Sequence, residues 1–371
     1  MTLRTVSGNP FGAPSVLVAL TGLILVGAPL AGAWFAGQPL GPYLALPPRP
    51  GRVAAAGFSW IAFWLMASLV IAAVAPFVWR FIATPRQAQQ AARRAFPWWG
   101  HAALAFLALS WLLAWSRFAW LAPWQQHTFT PLWIGYIGVL NALIVRRRGD
   151  SLATRQPARF AALFALSALF WWFFEYLNRY VGNWRYVGIE DFGALDYTLF
   201  ASAAYSTVLP AVASTAEWLG SFRRLDAAFE RWHAVHVPRP KLAAALVLGL
   251  TTFSLAGIGS FPDYLYPLVW VSPALVIVSF QALGGRTTVL APLARGDWRG
   301  PVAYSAAALA CGFFWEMWNY GSLARWQYSI PRVDAFRIFE MPLLGYAGYL
   351  PFGIECAAIA ALVLGRDRML R

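Results

Sequence analysis

Charge is scarce in this chain, and lysine is almost missing. Among 371 residues there are 15 acids, four histidines and two cysteines, and Lys241 is the only lysine beside the arginines that make up the rest of the 29 basic residues. Charged residues amount to 12% while hydrophobic residues reach 60%, with a mean hydropathy of +0.54. Such a composition excludes the surface of a water-soluble enzyme, and it excludes a disordered tail protein as well. Cys311 and Cys356 both fall inside apolar runs without metal-ligand spacing, which excludes a disulfide framework and a zinc site. His101, His127, His233 and His236 form no metal motif, and the i, i+3 pair His233 and His236 reads as a solvated face. With no nucleotide loop and no haem motif either, no cofactor is expected. The net charge of +14 does not point to nucleic acid, because the arginines sit in short clusters between apolar runs, as topology signals do.

What the chain has instead is length of apolar sequence. At about 20 residues per span, it has room for about ten spans, expected near 16–35, 57–82, 101–121, 131–146, 158–178, 197–219, 242–260, 266–284, 301–320 and 343–364. The expected fold is an all-α polytopic bundle, with 30 Gly and 25 Pro suited to close-packed or broken membrane helices. Connections after even-numbered spans, together with the two termini, hold 21 of the 29 basic residues, and the odd-numbered connections hold the other 8. That bias assigns both termini to the cytoplasm of a bacterial inner membrane. Ala31 and Ala33 after the first apolar run also fit a signal-peptide cleavage pattern, which would leave the orientation of the other nine spans unchanged.

A duplication organises the rest. Pro131, Glu175, Asn178, Trp184, Tyr186, Tyr205 and Pro210 reappear as Pro267, Glu316, Asn319, Trp326, Tyr328, Tyr346 and Pro351, at offsets of 136, 141, 141, 142, 142, 141 and 141 residues. The expected division is two N-terminal helices in 1–96, a first four-span repeat in 97–235 and a second in 236–371. An even number of spans separates equivalent positions, so the repeats are expected to be parallel, related by an axis along the membrane normal.

Glu175 with Asn178, and Glu316 with Asn319, share a helix face at the outer end of a span, each followed by a Trp-x-Tyr loop, Trp184 to Tyr186 and Trp326 to Tyr328. A carboxyl group in a span faces the bundle interior or a wet cavity. Two readings stay open: an acid–base role, or a clamp that accepts hydrogen bonds from indole or backbone N–H groups. Arg179, four residues after Glu175, is placed for an ion pair, whereas Glu316 has Tyr320 at that spacing, which favours Glu316 as proton donor. Glu355 follows Pro351 within the last span and is a third candidate, whereas Glu217 reads as an interfacial acid. Trp171, Trp172, Phe173 and Phe174, with Phe313, Phe314, Trp315 and Trp318, place aromatic walls beside the glutamates, suited to a long polyene or a carbocation, although ordinary lipid-facing and interfacial anchoring is the simpler reading of them.

The order Glu316, Asn319, Trp326, Tyr328, Gly345, Gly348, Pro351, Glu355 resembles the integral membrane lycopene cyclases and related carotenoid hydratases. The likeness runs from Glu316 to Glu355 and is weaker in the first copy. It departs from the cyclase pattern after the proline, where Phe352-Gly353-Ile354 precede a single glutamate instead of paired acids. The whole chain is similar to bacterial polytopic membrane proteins with a Trp-Glu-x-x-Asn signature. The resemblance implies cofactor-free acid catalysis on an isoprenoid or carotenoid-like lipid, with Glu316, Glu175 and Glu355 as catalytic groups and Asn178, Asn319, Trp184, Tyr186, Trp326 and Tyr328 holding substrate. The alternative is a proton-coupled or small-solute transporter, or a non-enzymatic membrane module. Either way the partner is a membrane lipid or small molecule and no nucleic acid is expected.

Overall fold

Apolar runs become helices wherever neighbouring side chains can cover the backbone, and the computed structural model describes this for residues 14–49, 56–86 and 94–364. The main helices are α1 (Pro14–Phe35), α2 (Trp60–Ala83), α3 (Trp98–Trp115), α4 (Phe129–Arg148), α5 (Pro157–Val181), α6 (Ala194–Tyr205), α7 (Val208–Leu219), α8 (Arg223–Phe229), α9 (Pro240–Ala256), α10 (Ser272–Leu283), α11 (Arg299–Gly321) and α12 (Tyr349–Leu364). Strands are short: β1 (Trp184–Val187), β2 (Arg325–Tyr328), β3 (Arg337–Ile338) and β4 (Met341–Pro342). The expected cytoplasmic termini fall on residues outside the described ones.

Seven helices are long and apolar enough to cross a membrane, and an eighth span results if the pair Pro262–Trp270 and Ser272–Leu283, bent by 58°, is taken as one. This is the architecture of a multi-pass helical membrane protein. The difference from ten has physical causes. α9 is a shorter apolar helix, and α11, 23 residues long, carries Glu316 and Asn319 among many small residues, which lowers its hydropathy.

At the centre lies α7, buried at every position from Val208 to Glu217. α4, α5, α11 and α12 pack around it, while α1, α9 and α10 form a flank. Close approach depends on missing side chains. A Cβ on Gly353 of α12 would lie 2.2 Å from the carbonyl oxygen of Tyr304 in α11, so the two backbones touch there. Glu217, read from sequence as an interfacial acid, is fully buried. It binds Arg155 at 2.9 Å and accepts from the backbone N–H of Leu152 at 2.8 Å, closing the loop after α4.

Because the two backbones touch at Gly353, Gly353→Leu should force the α11–α12 pair apart and destabilise the protein by about 1–3 kcal/mol or more. Thermal unfolding in detergent checks this, with an unshifted midpoint counting against the contact.

Candidate functional site

Glu175 and Asn178 lie on the last turns of α5, and both are completely buried. The helix stops at Gly182, whose φ of 61° only glycine adopts without strain, and the chain turns back as β1. Asn178 makes that turn possible. Its Oδ1 accepts from the backbone N–H groups of Asn183 at 2.8 Å and Trp184 at 3.3 Å, and its Nδ2 donates to the Trp184 carbonyl at 2.7 Å. Asn319 does the same at the end of α11, accepting from Trp326 N–H at 2.8 Å and donating to the Trp326 carbonyl at 2.8 Å. Each asparagine side chain thus imitates a strand neighbour for the first residues of its loop.

The two loops then pair with each other. β1 and β2 are antiparallel with Trp184 opposite Tyr328, Arg185 opposite Gln327 and Tyr186 opposite Trp326. Exchanging Trp184 with Trp326 and Tyr186 with Tyr328 leaves this pairing unchanged, a two-fold relation centred on Arg185 and Gln327. Nothing in either loop alone announces a strand that finds its partner some 140 residues away in the sequence.

Alternation along the strands turns the Trp and Tyr side chains towards the glutamates. Oε1 of Glu175 accepts from Tyr186 OH at 2.6 Å, Trp184 Nε1 at 3.0 Å and Trp171 Nε1 at 3.2 Å. Oε1 of Glu316, equally buried, accepts from Tyr349 OH at 2.7 Å and Tyr328 OH at 2.9 Å. Trp326 points towards Glu316 without reaching hydrogen-bond geometry. The second carboxyl oxygen of each glutamate is buried without a partner. Burial and the adjacent carboxylates hold the loop phenols of Tyr186 and Tyr328 well above the usual tyrosine range, so they remain donors.

A cavity of about 80 Å³ lies between the two clusters, and Tyr186, Tyr205, Tyr328 and Tyr349 all line it. Trp171, Trp184, Trp270, Trp315 and Trp326 supply most of the remaining aromatic wall. The glutamates themselves stand one layer back, behind the phenols. Tyr205 OH donates to Tyr186 OH at 3.1 Å and so extends the Glu175 chain.

Three expectations change. The ion pair between Glu175 and Arg179 does not form: the three aromatic donors occupy Glu175, while Arg179 donates to the Pro42 carbonyl at 2.9 Å and lies over the Tyr176 ring. Tyr346, the expected equivalent of Tyr205, donates outward to the Ile338 carbonyl, and Tyr349 takes the inner position. No sequence offset marks Tyr349, but Gly312 is a sign of it, since a Cβ there would lie 2.4 Å from the Tyr349 ring. Glu355 stands apart from the clusters, fully buried on α12 near the backbone N–H of Ala274, with no side-chain hydrogen bond to its carboxyl. Among the described residues no group of His, Cys, Asp and Glu is arranged to hold a metal ion.

The hydrogen bonds at Glu175 separate two accounts of what holds it. Glu175→Gln keeps an acceptor for Trp171, Trp184 and Tyr186, whereas Glu175→Leu strands all three donors at about 1–3 kcal/mol each. Unfolding followed by near-UV circular dichroism should therefore show a much larger loss for Leu than for Gln. Equal losses would mean that charge, not acceptance, matters there.

Comparison with protein families, with curated proteins and with solved structures finds no match for this chain.

Proposed function

We propose that the protein is an acid–base enzyme of the membrane that acts, without a cofactor, on a hydrophobic unsaturated lipid of the isoprenoid or carotenoid-like class. One observation carries this reading: two buried carboxyl–phenol pairs face a single aromatic cavity from opposite sides. With Glu316 in its neutral, protonated form, Tyr349 or Tyr328 would give its proton to a double bond, forming a C–H bond as the π bond breaks, while the Glu316 O–H gives its proton to the phenol oxygen and Glu316 becomes a carboxylate. The resulting cation would be held by the faces of Trp171, Trp270 and Trp315. Tyr186 and Glu175 would then remove a proton from a neighbouring carbon, restoring a double bond in a new place or after ring closure. Glu316 is assigned as the source because two donors hold it where three hold Glu175. The sequence resemblance to lycopene cyclases supports the same chemistry. Glu355, which does not reach the cavity, is left as a neighbour of α10.

The same reading takes the chain as ten spans, two N-terminal ones followed by two parallel four-span repeats, with α9, the bent pair and α11 counted as spans. Support comes from the matched Asn178 and Asn319 bonds and from the two-fold register of β1 with β2. The arginine bias places both termini and the even-numbered connections in the cytoplasm of a bacterial inner membrane.

A transport reading draws on a different observation, the 58° bend between Pro262–Trp270 and α10, since discontinuous helices at a repeat interface often surround a solute site.

Reporter fusions in the 146–159 loop should report cytoplasm, and fusions in the 179–196 loop should report periplasm. The reverse pattern would put the Trp-x-Tyr loops inside. For activity, expression in a host that accumulates linear carotenoids or polyprenols should change the extracted lipid profile. Glu316→Gln and Tyr349→Phe should each lower conversion by about 10²–10⁴-fold, the usual contribution of a general acid, without loss of folded protein. An unchanged profile together with a proton flux that Glu316→Gln removes would replace the enzyme reading with transport.

A further inference from the structure

The cavity between the phenols shares a wall with a second, larger hollow. This one is about 230 Å³ and lies between the 3-10 segments Tyr266–Trp270 and Leu343–Gly348. Trp270 and Tyr328 line both spaces, so these two side chains are all that the spaces are known to share. The outer wall of the second hollow is α2, through Met66 and Val70, which lie one turn apart on one helix face.

α2 is attached unusually lightly. Only 11% of its apolar window is buried, the lowest share among the seven long apolar helices. It is fastened at its ends. At one end Ser59 N–H donates to the Arg332 carbonyl at 2.8 Å and Phe63 meets the Phe336 ring. At the other, Arg80 Nε donates to the Ala228 carbonyl at 3.0 Å and Phe77 packs on Trp232. Between these fastenings Leu65 and Leu69 point outward, 68% and 65% exposed, while Met66 and Val70 cover the hollow.

We propose that the second hollow is a binding subsite for the far end of the lipid chain, so that a linear prenyl chain enters between α2 and Leu343–Gly348, passes Trp270 and ends at the phenols. The inference rests on the lipid reading above and adds a requirement it does not contain: the substrate is a chain too long for the reaction cavity alone. A hollow without an occupant forfeits dispersion contacts on its walls, and a mostly apolar chain restores them along Met66, Val70, Ile330, Val333 and Leu344. A ring-ended molecule, wider than a prenyl chain, would have to displace Trp270, whose ring is held among Phe174, Trp184 and Phe352.

Gly348 offers a way to close the hollow. A Cβ there would meet nothing nearer than Trp270 Cγ at 3.8 Å, so Gly348→Leu places its side chain beside Trp270 without a backbone clash. Val70→Trp would fill the same space from α2. The full-length protein in nanodiscs is exposed to two linear C20 prenols, one with a photoreactive diazirine at the hydroxyl end and one with it at the far end, and the labelled residues are mapped by mass spectrometry. Between them the two probes should label the reaction-cavity wall, at Tyr349 or Phe200, and the second hollow, at Met66, Val70 or Leu344, in excess over Leu65 and Leu69. Gly348→Leu and Val70→Trp should each lose the second set of labels and keep the labelling of the lipid-facing side. Labels spread evenly around α2, or a second set that survives both variants, would overturn the subsite. Labelling of the reaction cavity without the second hollow would overturn the subsite while leaving the lipid reading in place. An unlabelled reaction cavity would remove the lipid reading on which the subsite rests.

Discussion

A carboxyl group inside an apolar bundle is costly unless the protein brings hydrogen-bond donors to it, because lipid supplies none. Glu175 and Glu316 meet that demand with phenols and indoles, and much of the structure around these helix ends follows from how those donors are delivered. Tyr186 and Tyr328 reach the glutamates only because their loops are strands, and the loops are strands because Asn178 and Asn319 pair with them and they pair with each other. A change at one asparagine therefore acts on both carboxyl clusters through the shared two-stranded sheet. Burial of the acids, closure of the loops and shape of the cavity are one construction.

The two clusters are built alike and finished differently. On the α5 side Trp171 adds an indole donor to Glu175, and on the α11 side Gly312 removes a side chain so that Tyr349 can come in. One carboxyl consequently lies among three donors and the other between two. For the acid–base reading proposed above, that asymmetry is what separate proton-giving and proton-taking roles would require.

How much of this was legible in the sequence depended on whether the signal was local. The Glu and Asn pairs and the Trp-x-Tyr loops were readable because the same residue types return at nearly constant offset. The pairing of β1 with β2 was not, since a four-residue strand carries no mark of a partner so far away. Arg179 misled because i, i+4 spacing describes what an isolated helix allows, whereas the aromatic donors of β1 reached Glu175 from outside the helix. Tyr349 was hidden because the constant offset of 141 residues pairs it with Val208, and the tyrosine that the offset does match, Tyr346, sits in the 3-10 segment Leu343–Gly348 and points away from Glu316.

The register of the strand pair carries an electrostatic consequence. A residue on a two-fold axis faces its own counterpart, so whatever charge it bears is met by the same charge. Arg185 occupies that place, and if both strands carried arginine there, two guanidinium groups would stand opposite one another at the join between the loops. Gln327 removes the conflict and accepts a hydrogen bond from Arg185 at 2.9 Å. An assembly of two identical chains could not make that substitution on one side alone. Once both strands belong to one polypeptide, the axis becomes a position where the halves can differ, and a repulsion built into the symmetry becomes a bond that closes it.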